Sequence, residues 1–293
     1  MNASGLAFTK MSAGGNDFIV IDNMTAQGSD AASVDSDFIR RVCARALSVG
    51  ADGVIVIEPS EKAHVKMVYY NADGGRAALC GNGVRCVARM AALKRLAPPE
   101  GMVIETDAGM LPAASTLDRP PWFRLPLGTP KVERRSVTLE GGLDEVSRTY
   151  EGTFVMVGVP HFVVETRAAH GMPEPEFLSI ASRLRRHPDF GPEGTNVDFM
   201  TTRDRHALDI RCYERGVEGE TLSSGSGCIA SALAGATAGR LESPVACRSR
   251  AGPVSTVTLI HEPDGSLQAE LAGDARVIYT GALNAEALSG FEP

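Results

Sequence analysis

The chain rhymes with itself. A strand-like apolar run, Val65 to Tyr70, passes through Asn71 into a polar, glycine-rich segment, then Cys80-Gly81-Asn82-Gly83, then an alanine-rich helix. A second run, Ala207 to Tyr213, passes through Glu214-Arg215 into Ser224-Gly225-Ser226-Gly227 and a second alanine-rich helix. Ser224 stands 144 residues after Cys80, about half of the 293-residue chain. A period that long marks a duplicated α/β unit and not a solenoid, whose repeats run to about 20–50 residues. It constrains the fold to two similar domains, each large enough to bury its own core.

The remaining pattern fills in both halves. Strands are expected at Leu6 to Lys10, Phe18 to Ile21 and Val54 to Ile57, with a loop over Ser12 to Asp17 and a helix over 36–48. The first alanine-rich helix should run from about Gly83 to Leu96 and stop before Pro98-Pro99. In the second half, strands are expected at Thr153 to Val157, Phe162 to Glu165 and Val197 to Thr201, with Gly158 to His161 between the first two as a loop. Helices are expected over 175–186 and from Gly227 to Leu241, and short strands near Val254, Leu267 and Val277 close the chain. The proline-rich stretch around Arg119-Pro120-Pro121 and Pro126 to Pro130 is the expected boundary. The first domain would then cover 1–117 with a returning tail at 277–293, and the second 118–276.

Composition removes several function classes. Asp and Glu (36) outnumber Lys and Arg (29), giving −7, against the basic surplus of a general nucleic-acid binder. No run approaches the roughly 20 apolar residues of a membrane span. Met1 to Gly5 carry no basic stretch before an apolar core, so no secretory leader is expected. The six cysteines form no CxxC pair, so neither a disulfide framework nor a zinc site is read, and reduced thiols in a cytoplasmic protein are expected.

The two loops carry the chemistry. A glycine-rich turn entering a helix presents unpaired N–H groups and the positive end of the helix dipole, a ready site for a carboxylate or phosphate. Neither loop completes a dinucleotide or Walker A fingerprint, and Leu222 breaks the hydrolase elbow around Ser224. Each loop is headed by a protic side chain, Cys80 or Ser224. A thiol at a helix N-terminus is readily ionised. A base on one face of a stereocentre and an acid on the other would invert it. Cysteines within such helices are ordinarily small buried hydrophobes, the reading given to Cys43, Cys86, Cys212, Cys228 and Cys247.

At these residues the sequence resembles diaminopimelate epimerase, of the cofactor-independent amino-acid racemase superfamily. The matching segments are Lys10-Met11 with Gly15 to Phe18, Asn71 to Gly74, Cys80 to Cys86, Pro160-His161, Gly194 to Phe199, Glu214 to Val217 and Glu220-Thr221. The resemblance implies an α/β (α+β) chain of two pseudo-symmetric domains. Each would be a mixed, largely antiparallel sheet around a central helix, with the active site in the interdomain cleft. It implies interconversion of LL- and meso-diaminopimelate in lysine and peptidoglycan precursor synthesis, without pyridoxal phosphate or other cofactor and without a metal, by a homodimer. Carried over by position, Cys80 is the first catalytic group and Ser224 the second, supported by His161 and Glu214. Asn16, Asn71, Asn196 and Arg215 match substrate-binding positions, and Gly81, Asn82, Gly225 and Ser226 match the amides that receive the reacting carboxylate.

Three positions depart from the family pattern. Ser224 stands where the family has its second cysteine, Val159 where it has an asparagine serving the distal end of the substrate, and Gly53 where a glutamine is frequent. Ser224 reads either as a natural acid–base serine or as an introduced, impairing change. Three other functions stay open beside the epimerase: a racemase of another amino acid, a superfamily isomerase or dehydratase needing one base, and a non-catalytic amino-acid-binding module.

Overall fold

In the computed structural model, residues 5–25, 34–115, 122–128, 130–140, 147–250, 252 and 254–289 are described. The chain divides into two compact units, Met1–Arg124 with Gly273–Pro293, and Leu125–Ala272. These bounds stand against the expected 117/118 and 276/277. The Arg119-Pro120-Pro121 stretch lies outside the described residues.

Strands are numbered in chain order. The first unit contains β1 (Ala7–Ala13), β2 (Asn16–Asp22), β3 (Gly53–Glu58), β4 (Val65–Asn71), β5 (Arg76–Ala77), β6 (Met102–Thr106), β7 (Gly109–Ala114) and β18 (Arg276–Ala282). β8 (Trp122–Gly128) pairs with β7 at the unit's limit. The sheet runs β18-β1-β2-β3-β4-β6-β7, with β5 also on β4; β2/β3 and β4/β6 are parallel and the other pairs antiparallel. The helix α1 (Ser36–Cys43) covers one face, packing Phe38, Ile39 and Val42 against Ile19, Ile21, Val54 and Val56. The helix α2 (Gly81–Leu93) covers the other, where Ile55 and Met67 meet its first turn at Gly83. Burial on both faces explains why Val54-Ile55-Val56-Ile57 is continuously apolar and not alternating.

The second unit repeats this plan. It holds β9 (Val132–Leu139), β10 (Arg148–Val157), β11 (Val159–Glu165), β12 (Asn196–Asp204), β13 (Ala207–Glu214), β14 (Gly219–Thr221), β15 (Val245–Arg248), β16 (Val254–His261) and β17 (Leu267–Ala272). The order is β9-β10-β11-β12-β13-β15-β16-β17 with β14 on β13; β11/β12 and β13/β15 are parallel and the rest antiparallel. Strand for strand, these are the orientations of the first unit. The helix α3 (Glu174–Arg185) packs Phe177, Ala181 and Leu184 on one face. The helix α4 (Gly225–Thr237) is buried all round, touching β10 to β13 and β15 to β17. Both α2 and α4 have thirteen residues, and their starts are 144 apart.

Several expected limits move. α1 stops at Cys43 and not 48, because Ala44 is extended and Ala46 takes a positive φ of 65°, turning Arg45 back toward Asp17 and Asp52. The expected loop at Ser12 to Asp17 narrows to a turn at Gly14-Gly15, whose φ values are 59° and 98°. Val159 to His161 belong to β11, leaving Gly158 as the turn. α4 ends at Thr237, where Gly239 turns left-handed and Leu241 folds back over Gly235. Seven further strands, β5 to β9, β14 and β15, appear among the described residues beyond the expected set. No helix among the described residues is long and apolar enough to cross a membrane.

Candidate active site

Each unit builds one cluster at the head of its buried helix. In the first unit, Cys80 is the N-cap of α2, with extended backbone (φ −137°, ψ 111°) and no side-chain capping bond. Its thiol is therefore not committed to the helix, while the amides of Gly81 and Asn82 are among the first-turn N–H groups that a helix cannot satisfy internally. Cys80 is half-buried, whereas the other five cysteines are buried, and no disulfide links any of the six. Burial pushes the Cys43 thiol up to about 12 and raises Cys86 and Cys212 as well. A hydrogen bond with Cys228, then burial, raises Cys247. Those thiols stay protonated and unreactive.

A line of amides stands beside Cys80. Asn82 donates to Asn16 Oδ1 at 2.6 Å, and its own carbonyl oxygen accepts from Arg85 at 2.5 Å. Asn16 donates in turn to Asp52 at 3.0 Å. Asp52 also accepts from the Asp17 amide and from Arg45. These contacts bring β2, the start of β3 and the head of α2 together and fix the orientation of the Asn16 carboxamide. Asn71, at the end of β4, accepts from the Tyr69 hydroxyl at 2.8 Å.

In the second unit, Ser224 is the N-cap of α4, with nearly the same backbone (φ −130°, ψ 117°). Unlike Cys80 it is buried, and its Oγ accepts from the Gly227 amide at 3.1 Å. Ser226 Oγ lies 3.4 Å away. Burial raises the Glu214 carboxyl above its ordinary range, against the hydrogen bond from Ser224. His161 is wholly buried; its Nδ1 meets Asp198 Oδ2 at 2.6 Å, which places a hydrogen on Nδ1, and its Nε2 faces the Asn196 carboxamide nitrogen at 3.5 Å. Asn196, opposite His161 in the β11/β12 register, donates to the Pro160 carbonyl at 3.0 Å and accepts from the Arg215 amide at 2.8 Å. Its carboxamide thus ties β11 and β12 to the turn that follows β13. The Arg215 guanidinium is partly exposed and reaches Glu193 only at 3.9 Å, so it retains donors for an anion.

The structure thus groups Cys80, Asn16, Asn71, Gly81 and Asn82 in one unit, and His161, Asn196, Glu214, Arg215, Ser224, Gly225 and Ser226 in the other. Three partners join them that the sequence reading did not single out: Tyr69, Asp52 and Asp198. Tyr69 and Asp198 each stand two residues from a named site residue, Asn71 and Asn196, and so project from the same strand face, a period-two signal present in the sequence.

Known proteins carry the same sequence pattern. The family model for diaminopimelate epimerase matches residues 8–131 and 153–282. Diaminopimelate epimerase of Moorella thermoacetica is 36% identical over 84% of this chain and 88% of its own length. That of Aquifex aeolicus is 32% identical over 97% and 99%. Among solved structures, a Bacillus anthracis phenazine biosynthesis protein of the PhzF family superposes with a TM-score of 0.71 at 14% identity, covering 95% of this chain and 98% of that one. A hydroxyproline epimerase from Agrobacterium vitis superposes with a TM-score of 0.64 at 16% identity, covering 95% and 92%. At such identities these two structures establish the fold alone.

Proposed function

Because the chain belongs to the diaminopimelate epimerase family and is an isomerase of that kind, we propose that it interconverts LL- and meso-diaminopimelate by two-base proton transfer. Cys80, as thiolate, removes the α-proton from one face. The electron pair left behind spreads onto the α-carboxylate, where the amides of Gly81, Asn82, Gly225 and Ser226 stabilise it. Ser224 returns a proton from the other face, and Glu214 then reprotonates Ser224. In the reverse direction Glu214 accepts the proton that Ser224 removes, because a serine hydroxyl alone is too weak an acid to hold its alkoxide near neutral pH. Asn16, Asn71, Asn196 and Arg215 hold the substrate or the groups that hold it. His161 is held in place by Asp198. The reading takes the enzyme as a cytoplasmic homodimer acting without pyridoxal phosphate, other cofactor or metal.

The observation that supports this best is the pair of helix heads: a half-buried thiol with no capping duty at α2, and a hydroxyl hydrogen-bonded to the half-buried Glu214 carboxyl at α4. The test is incubation of LL-diaminopimelate in D2O, with inversion followed by circular dichroism and α-deuteration by NMR, beside a panel that includes lysine. A site built to pair a distal amino-acid head leaves its own polar groups unpaired with lysine, so diaminopimelate should be preferred by orders of magnitude. Val159, half-buried at the start of β11 and unable to donate or accept from its side chain, is the observation favouring a racemase of another amino acid. Equal turnover of lysine would establish that second reading, and no α-deuteration of any amino acid would establish a binding protein.

A further inference from the structure

Tyr69 is absorbed by neither the family pattern nor the mechanism above, yet its ring is placed with unusual care. It projects from the same face of β4 as Asn71, on the side covered by α2. Only 8% of it is exposed. Phe18 stands edge-on to the ring, with centroids 6.0 Å apart and planes at 78°. On the neighbouring strand, Gly53 supplies the space the ring occupies. A Cβ at that position would lie 2.7 Å from Tyr69 Cε2, 3.1 Å from its hydroxyl oxygen and 2.5 Å from the Tyr70 carbonyl oxygen. The glycine at 53 is therefore what lets the phenol lie where it does, with its hydroxyl 2.8 Å from Asn71 Oδ1 and in hydrogen-bonding contact with the Cys80 thiol.

We infer that Tyr69 is a positioning residue for the Cys80 face, its single phenolic hydrogen shared between the Asn71 carboxamide oxygen and the Cys80 sulfur. A phenol has one hydrogen to donate and lone pairs to accept with. While Cys80 is a thiol, Tyr69 donates to Asn71, which fixes that carboxamide with both N–H groups directed away from the ring, and the phenol oxygen accepts the S–H. When the sulfur is ionised, the phenol O–H turns to the sulfur anion, and a charge-assisted bond replaces a neutral one. The phenol keeps its proton throughout. Burial, then the charge of Cys80, raises its ionisation well above the ordinary tyrosine range. The other titratable groups that reach it, Asp52 before β3 and Cys43 of α1, act in the same direction.

The inference places Tyr69 inside the proposed epimerase site, but its test needs no amino-acid substrate, so the two stand or fall separately. Iodoacetamide alkylation of Cys80 is followed by mass spectrometry from pH 5 to 10 in the full-length protein, for the natural chain and Tyr69→Phe. The phenylalanine keeps the ring and removes only the hydroxyl. The expected result is a profile midpoint higher by about one pH unit, so that alkylation on the acid side of both midpoints is about tenfold slower, with an unchanged plateau at high pH. Gly53→Ala, which displaces the ring but keeps the hydroxyl, should move the midpoint the same way. An unchanged midpoint in Tyr69→Phe overturns the inference. A lower plateau with an unmoved midpoint overturns it too, since that outcome reports altered access and hence packing alone.

Discussion

Replacing Ser224 by cysteine should make this protein faster and less stable at once. The serine Oγ accepts from the Gly227 amide at 3.1 Å and is hydrogen-bonded to the half-buried Glu214 carboxyl. Sulfur is a weak acceptor, so Ser224→Cys gives up most of a helix N-cap, about 1 kcal/mol. For a domain of this size, that lowers the melting temperature by about 2–4 °C. The same exchange supplies a group whose acidity lies nearer the working pH, and inversion should rise by about tenfold or more, equivalent to about 1.4 kcal/mol in the barrier. Epimerisation by circular dichroism, α-proton exchange by NMR and thermal unfolding are measured on both forms. In the serine form, exchange should outrun inversion for the isomer whose proton faces Cys80, and the cysteine form should narrow that gap. A serine form that already inverts as fast as the cysteine form, with symmetric exchange, would refute the view of Ser224 as the slower acid–base. A cysteine form of equal or higher melting temperature would refute its capping role.

Other outcomes follow from the same contacts. Cys80 should alkylate faster than Cys43, Cys86, Cys212, Cys228 and Cys247 in the native protein at neutral pH, and substrate should protect it; equal rates by mass spectrometry would remove the thiolate base. Asp198→Ala leaves the buried His161 Nδ1 without its acceptor at 2.6 Å and should cost about 1–3 kcal/mol by denaturant unfolding. The Glu214 carboxyl is raised in the fold, so the native state holds that proton to higher pH than the unfolded chain. Its contribution to stability is present below the ordinary carboxyl range and is lost as pH rises through the raised value. Glu214→Gln should remove that pH dependence, and denaturation curves of equal pH slope for both proteins would contradict it.

The duplicated plan was legible because each half repeats strand, glycine loop and alanine-rich helix at one spacing, and because β3 is buried on both faces and therefore unbrokenly apolar. β7 was hidden by Pro112, which sits exposed within the strand opposite Val103 and reads locally as a breaker. The heads of α2 and α4 were legible as chemistry, since a protic residue before a glycine-rich helix start has a physical meaning by itself. Tyr69, Asp52 and Asp198 were not, because their roles arise only when strands distant in sequence become neighbours: Asp52 meets Asn16 across 36 residues and Asp198 meets His161 across 37. Gly53 shows the same limit in reverse. In sequence it reads only as the absence of a frequent glutamine, whereas the folded chain fills that space with the Tyr69 ring.

The return of β18 to β1 has a consequence for biosynthesis. Ala7 pairs with Ala282, and the Gly5 amide donates to the Leu283 carbonyl at 2.7 Å, so the first and last described strands share one ladder. Leu125–Ala272 is contiguous and can complete its sheet as soon as the ribosome has released it. β1, translated before Leu125–Ala272, must wait with one edge unpaired until β18 follows that whole unit, the situation that exposes a nascent chain to mispairing. Strands that already pair can also be linked directly. A circular permutant in which a short linker carries the chain from Leu283 to Gly5, opened between Arg124 and Leu125, would turn an interrupted unit into two uninterrupted ones in tandem. It would relieve the first strand of its delay.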